Sequence, residues 1–143
     1  MSTTDLQRVK QALIDAGLEI YRTRGQEIQV AERVRLHIMD SGVRVHLQDL
    51  LTVRFTARSQ RSDFPRASAD DLFEKVRGSV GSAASTRGYS EALANTVEVK
   101  DPVDDQKILD VWHEVTYEKP TADVDAVVDE VRWALDLEKY VAT

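Results

Sequence analysis

The side chains best suited to chemistry are basic residues that alternate with apolar ones in two short runs. In Val34-Arg35-Leu36-His37-Ile38 and Val43-Arg44-Val45-His46-Leu47, every second residue is basic. Such alternation is typical of half-buried strands, whose basic residues share one solvent-facing side. Asp40-Ser41-Gly42 lies between the runs and suits a tight turn. A hairpin turning at Ser41-Gly42 would place His37 directly opposite His46, so we expect the two imidazoles to lie side by side.

This histidine pair could supply two ligands to a divalent metal. No spacing fixes the carboxylate needed as a third ligand, and the neighbouring arginines would repel a cation. The chain has no cysteine, which excludes thiolate ligands, thiol nucleophiles and disulfides. The aspartates at 101, 104 and 105 lack the glycine and distal glutamate of a calcium loop, and no nucleophile motif frames a serine. The sequence predicts no metal, no cofactor and no catalytic residue.

The charges of the chain are divided between its two ends. Residues 20–66 contain nine Arg and no Lys against five acids, whereas residues 90–143 contain fourteen acids against five bases. Arginine suits bidentate contact with phosphate or carboxylate. However, the net charge is −6, no Gly-rich phosphate loop is present, and no exposed aromatics interleave with the arginines, which argues against nucleic acid. Acids of the same sheet, a second subunit or another protein remain as partners. The predicted binding face consists of Arg33, Arg35, His37, Arg44, His46, Arg54 and Arg58.

A second group of candidate residues comes from the acidic end of the chain. On a late strand, the alternation predicts that Asp110, Trp112, Glu114 and Glu118 point outward while His113 follows the inward parity. The last helix carries apolar residues on more than one face, which indicates either a wide core stripe or a subunit interface. The predicted interface residues are Trp112, Trp133, Leu137 and Tyr140.

The periodicity predicts an α+β fold with the element order α-β-β-β-α-β-β-α. The first helix extends from a cap at Thr4 to Gly25, the second begins at Ser68 before a loose segment at 81–88, and the last runs from Pro120-Thr121 to about Tyr140. Strands are expected at 34–38, 43–47, 51–58, 96–100 and 108–117. Residues 28–38 also carry a weak helical pattern, so strand and helix both remain open there. Because the connections are short, we expect a largely antiparallel five-stranded sheet with helices packed mainly on one face.

Length and composition favour one soluble domain over residues 1–143. The chain contains no apolar run long enough for a membrane span, and its charged N-terminus does not resemble a signal peptide. We therefore expect a cytoplasmic protein that has no membrane partner.

The element order, spanning Thr4 to Tyr140 in an acidic chain of this length without cysteine, resembles the class I type III secretion chaperones. It is also similar to the YbjN-type proteins, which are thought to share that fold. The resemblance implies a homodimer that binds an extended segment of another protein along its sheet and first helix, without ATP.

Three functional hypotheses follow. The first is a non-enzymatic protein-binding module, chaperone- or adaptor-like, acting as a homodimer on another protein or on its own second subunit. The second is a small nucleic-acid or anionic-ligand binder that uses the Arg-rich sheet face. The third is an assembly or scaffold subunit. An enzyme is not predicted, because no arrangement of candidate nucleophile, acid and base is visible.

Overall fold

The structure, a computed structural model, describes residues 3–47 and 50–142. In this part of the chain the fold is α+β with a mostly antiparallel seven-stranded sheet. The helices are α1 (Thr3–Asp15), α2 (Ala69–Val76), α3 (Ser82–Thr86) and α4 (Val124–Asp136). The strands are β1 (Ile20–Arg24), β2 (Glu27–Val34), β3 (His37–Leu47), β4 (Leu51–Gln60), β5 (Ser90–Lys100), β6 (Ile108–Thr121) and β7 (Tyr140–Val141). Their order is β1-β2-β3-β4-β6-β5, and β7 pairs in parallel with the end of β4.

The α+β class and the antiparallel sheet confirm the coarse prediction, whereas the five-strand count and the element order were wrong in detail. The predicted first helix overshoots, because Gly17 (φ 85) ends α1. The amide of Gly17 donates to Ile14 and that of Leu18 donates to Leu13, the two bonds of a Schellman motif. Residues 20–24 are therefore strand β1, and Gly25 lies in the turn to β2.

The predicted hairpin register was also wrong, because the residues taken for a turn form a bulge inside β3. Gly42 has φ 83, its amide donates to Asp40 Oδ1 (2.9 Å), and Ser41 Oγ donates to the Val30 carbonyl (2.6 Å). The ladder between β2 and β3 shifts at this point. The actual turn is Arg35-Leu36, with Val34 opposite His37. Residues 28–38 are thus a strand, a turn and the start of the next strand.

The second helix begins as predicted. Ser68 and Asp71 form a capping box, in which each side chain accepts from the other residue's backbone amide. The segment expected to be loose is instead helical, with a π turn at Arg77–Gly81 followed by α3. The hydroxyl groups of Ser79, Ser82 and Thr86 donate to carbonyls one turn back, and Val80 and Ala84 are buried.

The last helix is shorter than predicted at both ends. Asp123 caps α4 by accepting from the Ala126 amide (2.8 Å), while Thr121, at the predicted start of the helix, ends β6 and donates to the Leu51 carbonyl. Leu137 has extended backbone angles and terminates the helix. Tyr140 consequently lies in β7, where it pairs with Arg58 of β4.

The chain groups into two compact units. Unit 1 contains Met1–Phe55 and Glu118–Leu137, and unit 2 contains Thr56–Tyr117 and Glu138–Thr143. In unit 1, α1 packs against α4, and the buried residues include Val9, Leu13, Val45, Phe55 and Val131. In unit 2, they include Ala57, Leu72, Val76, Val115 and Tyr117. Membership of a single domain stays a prediction. No helix within residues 3–47 and 50–142 is both long and apolar enough to cross a membrane.

Candidate functional site

The residues of the predicted binding face lie in three different settings. Arg33, Arg35 and His37 lie near the tip of the β2–β3 hairpin, beyond the bulge. Arg44 and Arg54 are directly opposed on β3 and β4, and His46 follows on the same side of β3. Arg58 lies near the end of β4. The predicted pairing of His37 with His46 is wrong, because His37 is opposite Val34 and His46 is opposite Glu27.

The tip of the β2–β3 hairpin is exposed on both faces, and we call residues 32–39 the hairpin arm. Leu36 at its turn is 93% exposed, and three further apolar side chains on the arm are about half exposed: Val34, Ile38 and Met39. Arg33 forms an ion pair with Glu19 (2.5 Å). Arg35 has φ 59, a conformation that costs a non-glycine residue energy, and it forms no ion pair with any described residue.

Arg44 is neutralised by acids of its own sheet. Its two Nη atoms donate to the two carboxylate oxygens of Asp40 (2.5 and 2.7 Å), and its Nε lies 3.4 Å from Glu27. The hydrogen bond from Arg44 lowers the pKa of Asp40, partly opposed by burial, and the same bond raises the pKa of Arg44. His46 Nε2 lies 2.5 Å from the second oxygen of Glu27.

This cluster extends to the neighbouring strand. Gln29 donates to Glu27 (2.9 Å) and accepts from Arg22 Nε (2.6 Å). We call the connected residues the arginine network: Arg22, Glu27, Gln29, Asp40, Arg44 and His46. Arg54 is likewise paired, with Glu118 of β6 (2.8 Å). Since these guanidinium groups already hold carboxylates, they are poorly placed to bind a phosphate or nucleic acid.

Arg58 has aromatic neighbours instead of acids. Its guanidinium carbon lies 3.9 Å from the centroid of the Trp112 ring and 5.3 Å from that of the Tyr140 ring. Arg58 Nε and Trp112 Nε1 are buried without a hydrogen-bond partner among the described residues. The Tyr140 hydroxyl donates to Asp63, and this bond raises the pKa of Tyr140. We call Arg58, Trp112 and Tyr140 the aromatic cluster.

Asp110, predicted to face outward, joins β6 to the short 3-10 turn at Arg61–Asp63. Burial acts to raise the pKa of Asp110, but the amides of Ser62 and Val111 and the side chains of Gln60 and Ser62 all donate to its carboxylate. These bonds prevail and hold the pKa at about 2. The role of Asp110 is therefore to order this turn.

The other predicted interface residues are partly in the core. Trp133 packs its ring edge against Phe55, with centroids 5.8 Å apart, and is half-buried. This contact favours the core-stripe interpretation of α4 at this position. Leu137 is half-buried at the end of α4, whereas Tyr140 is 36% exposed.

His113 is the chemically capable residue that sequence reasoning did not assign to a site. It is 2% exposed, its Nδ1 lies 3.1 Å from the Thr96 hydroxyl, and its ring packs edge-on against Phe73. Burial lowers its pKa, assisted by the charge of Arg61, which favours the neutral imidazole. The inward parity of His113 on β6 was the available signal. Its neighbours make it a packed structural residue.

Two further surfaces are not covered by any described residue. Strand β5 is eleven residues long, ends the sheet order with only β6 as its neighbour among the described strands, and contains no buried residue. In unit 1, a groove of about 710 Å³ lies between α1, the start of α4 and Leu51. We call it the acidic groove, since four aspartates and one arginine border it: Asp5, Asp15, Asp123, Asp125 and Arg8.

The described part of the chain contains no group of three or more His, Asp or Glu side chains placed to hold a metal ion. Comparison with known proteins finds no matching family model, no matching curated protein and no matching solved structure. The resemblance to secretion chaperones and YbjN-type proteins therefore stays a prediction.

Proposed function

We propose that this chain is a cytoplasmic, non-enzymatic protein-binding module, chaperone- or adaptor-like, which acts as a homodimer and captures an extended segment of another protein. The observation that carries the proposal is the outer edge of β5, along which no described strand pairs. This strand has eleven residues, and the first seven are exposed on both faces. An exposed edge presents a row of backbone N–H and C=O groups to which a segment of another chain can add as a further strand.

The opposite edge of the sheet is a poorer template. Strand β1 has five residues, its register is interrupted by an irregularity after Ile20, and it carries Arg22 and Arg24. Short, irregular and charged edges are the usual protection against unwanted pairing. On β5, by contrast, Ala92, Leu93 and Ala94 form an uncharged run, and Leu93 is 59% exposed. A bound strand would gain apolar contacts there in addition to backbone hydrogen bonds.

Anion binding is the less well supported alternative. Arg44 and Arg54 would have to give up Asp40 and Glu118 before they could accept another carboxylate or a phosphate. Arg58 forms no ion pair with a described residue, but its charge interacts with that of nearby Glu114. Burial raises the pKa of Glu114, and the positive charge of Arg58 partly opposes this rise. A scaffold role differs from the proposal only in the number of subunits, which light scattering measures.

Two proline substitutions test strand addition at β5. Successive residues of a strand direct their N–H groups to opposite edges. Of Leu93→Pro and Ala94→Pro, one therefore removes a hydrogen bond to β6 and lowers the melting temperature. The other removes an outward N–H, and we expect it to keep most of the stability while losing about tenfold or more in partner affinity.

The partner is first captured on the tagged chain from an extract of the source cells and then purified with it for hydrogen exchange. We expect the β5 amides to gain protection in the complex. Val103→Lys is the matched control, since Val103 is 96% exposed outside any strand. The proposal is wrong if neither proline variant weakens capture, or if β5 exchanges equally fast with and without the partner.

A further inference from the structure

We propose that two copies of this chain associate by inserting the hairpin arm of each into the acidic groove of the other. The inference rests on the homodimer of the proposed function but not on strand addition at β5. It names the surfaces at which the two copies meet. Both surfaces belong to unit 1, and neither is covered by any described residue.

The arm has the properties of an element that is completed by another chain. A two-stranded hairpin standing alone in water is marginally stable, and this one exposes both faces over residues 32–39. Leu36 projects from the turn at 93% exposure, with Val34 and Ile38 about half exposed beside it. The guanidinium of Arg35 places a positive charge at the same turn, even though the backbone of this residue is left-handed. An apolar tip flanked by cations would bind best in an apolar cleft with acidic walls.

The acidic groove has that composition. Its floor includes Val9, Ala12, Leu51 and Val124. At its rim, Asp15 accepts a hydrogen bond from Gln11 (2.8 Å), while Asp125 lies in the first turn of α4. Neither aspartate forms an ion pair with a described residue, so both carboxylates are available to a cation. A volume of about 710 Å³ accommodates a tip of several side chains.

The charges of the hairpin arm and the acidic groove indicate which molecule occupies the groove. Arg35 at the tip of the arm is a cation without an ion pair to any described residue, and Asp15 and Asp125 at the groove are acids without one. Because one chain carries both halves of the contact, two copies can satisfy each other reciprocally. Such an exchange forms a closed pair with two equal contacts, whereas a partner with only one of the halves would leave a surface open. We therefore assign the groove to a second copy of this chain.

Engineered cysteines test the contact directly, because the natural chain contains none. Leu36→Cys and Ala12→Cys copies are mixed and oxidised mildly. We expect a disulfide-linked heterodimer to form at least about tenfold faster than between Val103→Cys and Ala12→Cys copies, since Val103 is equally exposed but lies outside the arm. Equal rates in the two mixtures would overturn the proposal.

A charge exchange tests the same contact at equilibrium. The arm variant carries Arg35→Glu and His37→Glu, and the groove variant carries Asp15→Lys and Asp125→Lys. Each alone should dissociate at least about tenfold more readily than wild type, because like charges then meet. In the mixture, each reversed arm meets a reversed groove, so the heterodimer should recover wild-type affinity in sedimentation equilibrium.

The outcomes separate this proposal from the proposed function. A wild-type chain that sediments as a monomer overturns both the homodimer and the arm–groove contact. A dimer that persists in both variants overturns the contact alone. Strand capture is measured separately on the Leu36→Asp variant, which should lose dimerisation while its β5 amides still gain protection with the captured partner. If Leu36→Asp instead keeps the dimer and loses that protection, the arm serves the partner and not a second copy, and this result too would overturn the proposal.

Discussion

Arg44 and Arg58 occupy similar positions, since each lies on a strand with neighbours on both sides, yet their surroundings differ. Arg44 in unit 1 donates two hydrogen bonds to Asp40 and lies close to Glu27. Arg58 in unit 2 is stacked on Trp112 and lies near Tyr140, with no carboxylate bound to it among the described residues. Arginines that look equivalent in the sequence are thus held by two different forces. The first is a directional charged hydrogen bond, and the second is a ring contact.

The largest expected effect is on the arginine network. We expect Arg44→Leu to lower the free energy of unfolding by about 2 kcal/mol, because it leaves the partly buried carboxylates of Asp40 and Glu27 without their cation. Chemical denaturation provides the measurement. Arg54→Leu is the control, since the Arg54–Glu118 pair is more exposed and should cost less than about 1 kcal/mol. If both variants lost the same free energy of unfolding, Arg44 would contribute no more to stability than an exposed ion pair.

The second effect concerns the aromatic cluster. We expect Trp112→Leu to lower the free energy of unfolding by about 1 kcal/mol, from the lost cation–π contact and ring burial. Arg58→Lys should preserve part of this contribution, whereas Arg58→Gln should not. Adding salt should reduce the cost of Arg54→Leu but leave the cost of Trp112→Leu nearly unchanged, because the ring contact is not an exposed ion pair. If salt reduced the stability cost of Trp112→Leu as much as that of Arg54→Leu, the distinction between a ring contact and an ion pair would be contradicted.

The sequence predicted features whose signals are local. The capping box at Ser68 and Asp71 needs residues of known type three positions apart, and α2 starts there. The alternation along β6 correctly gave His113 the inward parity, and this residue is 2% exposed. In these cases, each residue's environment is set by its own element, so the residue types of a short segment carry the information.

The register of the β2–β3 hairpin was predicted wrongly because a reverse turn and a β-bulge have the same local sequence pattern. Asp40, Ser41 and Gly42 can make a reverse turn or a bulge, since both require an Asx-type hydrogen bond and a positive φ. The real turn at Arg35-Leu36 contains no turn-favouring residue at all. The wrong turn led to the prediction that His37 lies on the sheet face opposite His46, whereas it lies near the tip of the hairpin. The hydrogen bond from Arg44 to Asp40 was not predicted for the same reason.

The aromatic cluster was beyond prediction for a different reason. It depends on β7, a strand of two residues that pairs in parallel with β4 across some eighty positions of sequence. So short a strand has no periodicity, and the apolar pattern of α4 appeared to continue through Tyr140. Only the packing of distant segments brings Tyr140 beside Arg58.

The last expected effect is in the acid limb of the stability curve, and it extends the comparison to carboxylates. The pKa of Asp110 is about 2 in the folded chain and about 3.9 in an unfolded one. A carboxyl whose pKa is depressed by folding contributes stability above its unfolded pKa and loses it as the pH falls toward the folded value. We therefore expect wild type to lose more stability than Asp110→Asn between about pH 4 and about pH 2.

Asp40 provides the contrast, because its pKa is lowered chiefly by the hydrogen bond from the cation Arg44. Asp110 is held instead by neutral donors, namely two amides and the side chains of Gln60 and Ser62. High salt should therefore reduce the pH-dependent difference between wild type and Asp40→Asn while leaving that between wild type and Asp110→Asn nearly intact. Acid unfolding followed by circular dichroism at low and high salt measures both differences. If salt reduced both to the same degree, long-range charge and not local hydrogen bonding would govern the pKa of Asp110, because neutral donors are not screened.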